Sequence, residues 1–488
     1  MTDVSHSFSE LGDMPPDEFR RYGYEMIDWI ADFFQNIDEI PVLPNVQPGD
    51  VKNLLPDQAP QTGEAMSAIF EDIDKIIMPG MTHWNHPRFM AYFANTGSAP
   101  GIFGEMLATA FNINGMLWKS CPASTELEQK TLDWLRELLN LPKDFWGIVY
   151  DTASISTLHA ITAAREQQDD LKIRENGFAD APRMRLYMSE HGHSSIEKAV
   201  ITLGFGLKSV RKIAADASYR MKPKALQNAI EEDLQKGLRP FCVVATAGTT
   251  SVASVDPVDE IASICEKYNI WLHCDAAYGG SAAVVPELQT LFSGWERADS
   301  IVVNPHKWLF TPMDFSAFYT RKPHILKRAF SLIPEYLKTQ HDDDVENLMD
   351  YGVQLGRRFR SLKLWFVLRY YGREGLIQRI RKHIELAEKF ADWVKENEYF
   401  ELAAPPMFST VVFRARPSQI VDEKQLNQLN EKLLERINAA RRFFLSHTKL
   451  GARFVIRLTI GNIRTDEKHI GEIEQLLQDT LRQMLKEN

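Results

Sequence analysis

Apolar residues recur at helical spacing near the start of the chain: Phe19, Tyr22, Met26, Ile27, Ile30 and Phe33 share one helical face. Pro15-Pro16 followed by Asp17-Glu18 is the punctuation that opens such a helix. Residues 41–60 are rich in proline and read as an extended connector, and a second helix is expected over residues 64–77. This front segment has too few apolar residues to close a core. Its stripe needs another surface, either the main domain or a partner subunit.

From about residue 79 the pattern changes. Gly147-Ile148-Val149-Tyr150 is a short apolar run followed by a Thr/Ser turn, with a helix expected from near Ser156. Strand-then-helix alternation recurs at residues 185–188 and 241–247, and the runs at 270–274 and 301–303 add two more strands. Strands separated by whole helices imply parallel crossovers, so a doubly wound α/β sheet is expected. Ligands of such sheets gather at the carboxyl ends of the strands. Beyond Tyr371-Gly372-Arg373 the alternation gives way to a long helical stretch at 375–396, short strands near 409–414 and 454–460, and further helices. A smaller α+β unit is expected there. The expected division is 1–80, a helical segment; 81–372, the large α/β domain; and 373–488, the small domain.

Composition narrows the class. The 488 residues carry a formal charge of −10 and no basic block, which argues against nucleic acid or an anionic membrane as the main partner. Four cysteines, Cys121, Cys242, Cys265 and Cys274, lack ligand spacing, so neither a disulfide framework nor a metal site is expected. His273-Cys274-Asp275 does not change this, because strand alternation sends Cys274 to the opposite face from its neighbours. With no signal pattern and no membrane-length apolar run, a cytoplasmic protein is expected.

The candidate chemistry clusters after the strands. Lys307 follows the run Ile301-Val302-Val303 and the break Asn304-Pro305-His306. A lysine drawn out of water there loses preference for its charged form and becomes a nucleophilic amine suited to an aldehyde. Asp275 ends another apolar run; a carboxylate in that place can keep a pyridine nitrogen protonated and make the ring an electron sink. Pyridoxal phosphate offers both an aldehyde and a pyridine, although a surface lysine at a strand end and an aspartate that caps a turn explain either residue taken alone. Thr152-Ala153-Ser154, between strand and helix, can cradle a phosphate, although plain capping explains such residues equally well. His193 could stack on a flat ring, and Gly248-Thr249-Thr250 lets backbone approach the same ligand.

Taken together, His193-Ser194-Ser195, Gly248-Thr249-Thr250, Asp275-Ala276-Ala277-Tyr278 and Asn304-Pro305-His306-Lys307-Trp308 resemble the group II pyridoxal-phosphate decarboxylases, specifically those acting on aromatic L-amino acids. Thr82-His83-Trp84, Thr125-Glu126-Leu127-Glu128 and the stretch from Leu355-Gly356-Arg357 to Lys363 extend the resemblance. It implies the aspartate-aminotransferase-like fold, fold type I, and a homodimer with shared active sites and no nucleic-acid or membrane partner. By the same resemblance Lys307 takes the cofactor aldehyde, Asp275 pairs with the pyridinium, His193 stacks on the ring and Ala277 packs beneath it. Thr152, Ala153, Ser154 and Asn304 match phosphate positions, His306 is placed near the phosphate, and Thr250 near the ring.

Trp84, Tyr92 and Phe93 match the family's aromatic pocket, and Gly356 a position that leaves room for an indole. Asn95, Asn114 and Met116 depart from the animal enzymes and make one wall more polar, while Asp151 and Ile155 depart in the phosphate loop. Tyr336 matches the loop tyrosine that donates a proton to the product carbon. Relatives with phenylalanine there resemble aldehyde synthases, so Tyr336 favours amine formation. The expected activity is decarboxylation of aromatic L-amino acids, the tryptophan, phenylalanine, tyrosine and DOPA class. An aldehyde synthase is the first alternative, and a non-catalytic protein of this fold the other.

Overall fold

The structure is a computed structural model that describes residues 12–93, 95, 97–332 and 345–487. Its larger sheet contains β1 (Trp146–Tyr150), β2 (Met184–Ser189), β3 (Val210–Ile213), β4 (Arg239–Thr246), β5 (Trp271–Asp275), β6 (Ser300–Val303) and β7 (Ser316–Thr320). They lie in the order β1-β7-β6-β5-β4-β2-β3. β7 runs antiparallel to both its neighbours, and the other pairings are parallel. Since β7 reverses twice, β1 points the same way as β6. The carboxyl ends of β1, β2, β4, β5 and β6 therefore open on one edge, as the sequence pattern requires.

β5 and β6 are buried at every residue, which explains why they read as continuous apolar runs instead of alternating ones. β3 and β7 were not expected from the sequence. β7 returns beside β6 after a four-residue helix, Pro305–Trp308, so no crossover helix announces it.

The smaller sheet is antiparallel, β10-β11-β9-β8, built from β8 (Phe400–Leu402), β9 (Thr410–Ala415), β10 (Ser446–Leu450) and β11 (Arg453–Thr459). Two cores meet along the helix Ser361–Glu396. Its Leu364, Val367, Leu376 and Ile380 pack on the large sheet, while Leu386, Phe390 and Val394 pack on the small one. That helix begins earlier than the sequence suggested and kinks at Gly372, whose φ of 62° is easy only for glycine.

In the front segment the first helix runs over Pro16–Gln35 as expected. The second is shorter, Met66–Asp72, and widens into a π turn over Ile73–Ile77. The connector contains a short helix at Asp50–Leu54. Residues 89–92 join the small unit: Met90 N–H donates to Phe444 O (3.0 Å), and Thr459 N–H donates to Met90 O (2.9 Å).

Candidate active site

The loops after β4, β5 and β6 are locked together. Gly248, with φ of 101°, lies so close to the turn after β5 that a Cβ there would fall 2.8 Å from the Gly279 nitrogen. Any side chain at Gly248 would push the two strand ends apart. Asn304 N–H donates to Ala277 O (3.0 Å), and Ala276 N–H donates to Val302 O (3.1 Å). Asp275 is buried at the end of β5, with Oδ1 accepting from Ala277 N–H at 3.2 Å.

Lys307 stands on the short helix after β6. Burial lowers the pKa of its amine from the ordinary lysine value, and Asp275 pulls the other way. The opposition is the useful part: desolvation creates the neutral amine, and the nearby carboxylate limits how far the shift goes. The amine lies 5.7 Å from the centre of the Phe93 ring.

His193 ends the turn after β2 and caps the helix Ser194–Thr202. Its Nδ1 accepts from Ser195 N–H (3.2 Å) and pairs with Ser195 Oγ (2.8 Å), which leaves the ring hydrogen on Nε2. Burial lowers its pKa while Asp275 raises it, so the neutral form is favoured.

His306 is more tightly held. Burial, with Lys307 beside it, pushes its pKa down to about 3, and Phe315 N–H donates to its Nδ1 (2.9 Å). A neutral ring that accepts at Nδ1 must donate from Nε2. The group facing Nε2 at 3.3 Å is the Asn304 side-chain amide, whose other end meets Ser316 Oγ at 2.7 Å. Hydrogen bonding therefore turns the Asn304 oxygen to His306 and its nitrogen to Ser316. Ser316 continues to Ser156 Oγ at 2.8 Å. His306, Asn304, Ser316 and Ser156 thus form one continuous buried chain of polar side chains.

The expected cradle is the N-terminus of the helix Ala153–Glu166, which starts three residues before the predicted Ser156. Thr152 is its cap residue, and Ile155 N–H makes a bond back to Thr152 O, so the amides of Ala153 and Ser154 precede the helical ladder. Asp151 intrudes here: its Oδ1 accepts from Thr152 N–H (2.5 Å) and Oγ1 (3.1 Å).

Of the residues matched to the substrate pocket, Trp84 and Tyr92 stack with ring centres 5.9 Å apart, and Tyr92 meets Phe444 edge-on at 5.6 Å. Phe93 stacks on Tyr278 at 3.8 Å. The Asn95 amide reaches Met313 Sδ at 3.3 Å. Asn114, Met116 and Gly356 form a second group: Asn114 Oδ1 accepts from Arg357 N–H (3.0 Å), and its amide nitrogen lies 3.6 Å from Met116 Sδ. Thr250 is exposed on the loop after β4. Tyr336 lies outside the described residues.

Sequence reasoning missed Phe444, Ser446 and Arg457, which reach this wall from the small unit. The signal for Arg457 was present, a charge interrupting the apolar strand Phe454-Val455-Ile456-Arg457-Leu458. Nothing local marks the other two.

The donor set suits pyridoxal phosphate: helix amides for the phosphate, a buried carboxylate for the ring nitrogen and a desolvated amine for the aldehyde. The Thr246 hydroxyl, at the β4 position paired with Asp275, is buried and lacks a hydrogen-bond partner among the described residues. Such an orphan is expected where a polar ligand completes the site. The pyridoxal-dependent decarboxylase conserved domain matches residues 48–416. The chain belongs to that family. Tyrosine decarboxylase 4 of Petroselinum crispum is 40% identical over 98% of this chain and 96% of its own length. Phenylacetaldehyde synthase of a Rosa hybrid cultivar is 38% identical over 96% and 94%. A crystal structure of Oryza sativa TDC with PLP and tryptamine superposes with a TM-score of 0.95 at 36% identity, covering 97% of this chain and 100% of that one. This chain is a pyridoxal-phosphate-dependent decarboxylase of the aspartate-aminotransferase-like fold.

Proposed function

We propose that the protein decarboxylates aromatic L-amino acids to the corresponding amines and carbon dioxide. The observation that carries this reading is the Lys307 amine, desolvated within reach of Asp275 and facing the Phe93 ring. When bound, the cofactor supplies the electron sink for the pair released as the carboxylate leaves. Lys307 Nζ would hold its aldehyde, and Asp275 would keep its ring nitrogen protonated. His193 would stack on its ring, and Ala277 would pack against it. The phosphate falls to Thr152, Ala153, Ser154 and Asn304, with His306 fixing the Asn304 amide and Thr250 lying near the ring. Trp84, Tyr92 and Phe93 pack on the substrate arene. Asn95, Asn114, Met116 and Gly356 line the remaining wall, and Tyr336 provides the proton for the product carbon from its hydroxyl.

The aromatic preference rests on Trp84, Tyr92 and Phe93, supported by relatives named for tyrosine and tryptophan decarboxylation. Phenylacetaldehyde synthases among the relatives favour aldehyde formation as the second reading. Tyr336 argues for the amine.

The reading includes a homodimer with shared sites, in which residues 1–80 pack on the partner subunit, 81–372 bind the cofactor and 373–488 form the small domain. The helix Pro16–Gln35 has no buried residue, and Phe103, Met106, Leu107 and Phe111 of the helix Ala99–Phe111 are exposed, which supports a covering partner. A cytoplasmic setting fits a chain in which, among the described residues, no helix is long and apolar enough to cross a membrane.

The test is one assay of purified protein with pyridoxal phosphate and each aromatic L-amino acid, following carbon dioxide, amine, aldehyde and peroxide together. Amine equal to carbon dioxide is expected. Aldehyde with peroxide would establish the second reading, and absence of turnover would remove the aromatic class.

A further inference from the structure

Two arginines of the described residues, Arg414 and Arg457, are buried, and only the first has acids to meet it, as the partly buried Arg357 also does. Arg357 pairs with Glu128 at 2.7 Å, and Arg414 pairs with Glu401 at 2.6 Å and Glu423 at 2.5 Å. Arg457, in the middle of β11, is only 3% exposed, yet no carboxylate among the described residues lies within ion-pair distance of it. Burial lowers its pKa to about 10, so it remains a cation at neutral pH. Its donors go to neutral oxygens. Nε donates to Ser251 O at 2.9 Å, Nη1 to Ser446 Oγ at 3.2 Å and Nη2 to Thr459 Oγ1 at 3.5 Å.

These partners converge on the wall that faces Lys307. The guanidinium carbon lies 5.1 Å over the Phe93 ring, the same ring that the Lys307 amine approaches. Ser446 Oγ, which Arg457 holds, also accepts from Tyr92 N–H at 3.1 Å. Tyr92 has φ of 52°, a conformation that a bulky side chain takes only when its surroundings enforce it. Phe93 is backed by Tyr278, whose hydroxyl is tied to Ser409 Oγ at 2.7 Å. The corner is thus fixed by one cation acting twice, through Ser446 on the Tyr92 backbone and through its guanidinium over the Phe93 ring. Ser251 anchors the same guanidinium to the loop after β4.

We propose that Arg457 is a positioning residue for the reaction, one that sets the Tyr92–Phe93 corner against the Lys307 amine and so determines how an arene seats at the site. The inference rests on the aromatic-substrate reading given above. A guanidinium suits this task because one rigid plane can lie over a ring while its edge donates in several directions; an ammonium of the same charge cannot do both. Neutral partners matter as well. A carboxylate at Ser446 or Thr459 would draw the plane away from Phe93 into a bidentate pair.

The experiment is a double-mutant cycle on the cofactor-loaded enzyme with Arg457→Lys, Phe93→Leu and both changes together. Arg457→Lys should raise KM for the preferred aromatic amino acid by about tenfold and leave kcat within about threefold, because the lost interaction seats the substrate without entering the chemistry. Phe93→Leu should then raise KM much less in the Arg457→Lys background than in the wild type. An unchanged KM, a fall confined to kcat, or independent effects of the two substitutions would each overturn the inference. Ser446→Ala provides the variant that keeps the buried charge; a KM increase of about threefold at an unchanged melting temperature is expected, and an unchanged KM counts against the proposal. Should the wild type turn over no aromatic amino acid, the functional reading falls, and Arg457–Phe93 coupling is read from the urea midpoints of the same four proteins. Additive midpoints would overturn the inference, and non-additive ones would support it.

Discussion

Asp275, Asn304 and Lys307 stand at or just beyond the ends of two neighbouring strands of one sheet, whereas Phe93 is contacted both by Tyr278 of that sheet's loops and by Arg457 of the small sheet. The cofactor side is built from consecutive strand ends whose spacing the parallel sheet imposes. The aromatic side is built from residues more than three hundred positions apart, joined at Ser446 and Arg457. On the proposed roles, a change on the first side should remove chemistry. A change on the second should alter which molecule the chemistry receives.

The contrast is broken most directly by comparing Lys307→Ala with Trp84→Ala. Lys307→Ala should lower turnover by about a thousandfold or more, because it removes the amine proposed to hold the cofactor aldehyde. Trp84→Ala should cost about 1–3 kcal/mol, read chiefly in KM, the range expected for trimming an apolar contact to a substrate. Single-turnover kinetics on both variants would test the division. A kcat collapse in Trp84→Ala with KM unchanged would show that the wall takes part in the chemistry.

Acid should distinguish the two sides through buried histidines. Burial is the leading cause of lowered pKa values at His273, to about 4, and at His306 and His159, both to about 3, all on the large sheet or its helix. His383, whose Nδ1 accepts from Trp308 Nε1–H at 3.0 Å, is lowered to about 3, and His86 near the aromatic wall to about 4. Each folded value lies below the roughly 6.5 of an open chain. Their stabilising contribution is therefore complete above pH 6.5 and is lost as pH falls from there toward 4 and 3. The limit is about 1.4 kcal/mol per pH unit for each histidine. Urea midpoints should fall between pH 7 and pH 5, and hydrogen exchange should show the large sheet loosening before the Trp84–Tyr92–Phe444 cluster. A flat midpoint over that range would mean that these rings are reached by protons without unfolding.

The same division explains what could be read from the chain. Lys307, Asp275 and Thr152 stand at the end of apolar runs or within four residues of it, so each was legible from a strand end, and the central strands appeared because burial on both faces makes them continuous. β7 was invisible because Ser316-Ala317-Phe318-Tyr319-Thr320 follows Lys307 with only a four-residue helix between, leaving no strand-helix-strand rhythm to mark it. Arg457 was legible only as an oddity. Its meaning depends on Ser446, Ser251 and Phe93, and no periodicity brings those together.

The smallest expected effect tests the one residue that works against the cofactor side. Asp151 places a carboxylate at the helix N-terminus proposed to take the cofactor phosphate; its Oδ1 takes the Thr152 N–H, and its Oδ2 accepts from Gln354 Nε2 at 3.3 Å. A second anion there competes for the same positive helix end. Asp151→Asn keeps the size and an acceptor for Thr152 but removes the charge, so cofactor affinity should rise by about two- to fivefold, the 0.3–1 kcal/mol of a charge at a helix terminus. Cofactor release measured by fluorescence during dialysis is the suitable readout, because turnover with saturating cofactor would not register the change. Faster release from Asp151→Asn would assign Asp151 the opposite role, a clamp that shapes Thr152 for the phosphate at the expense of some repulsion.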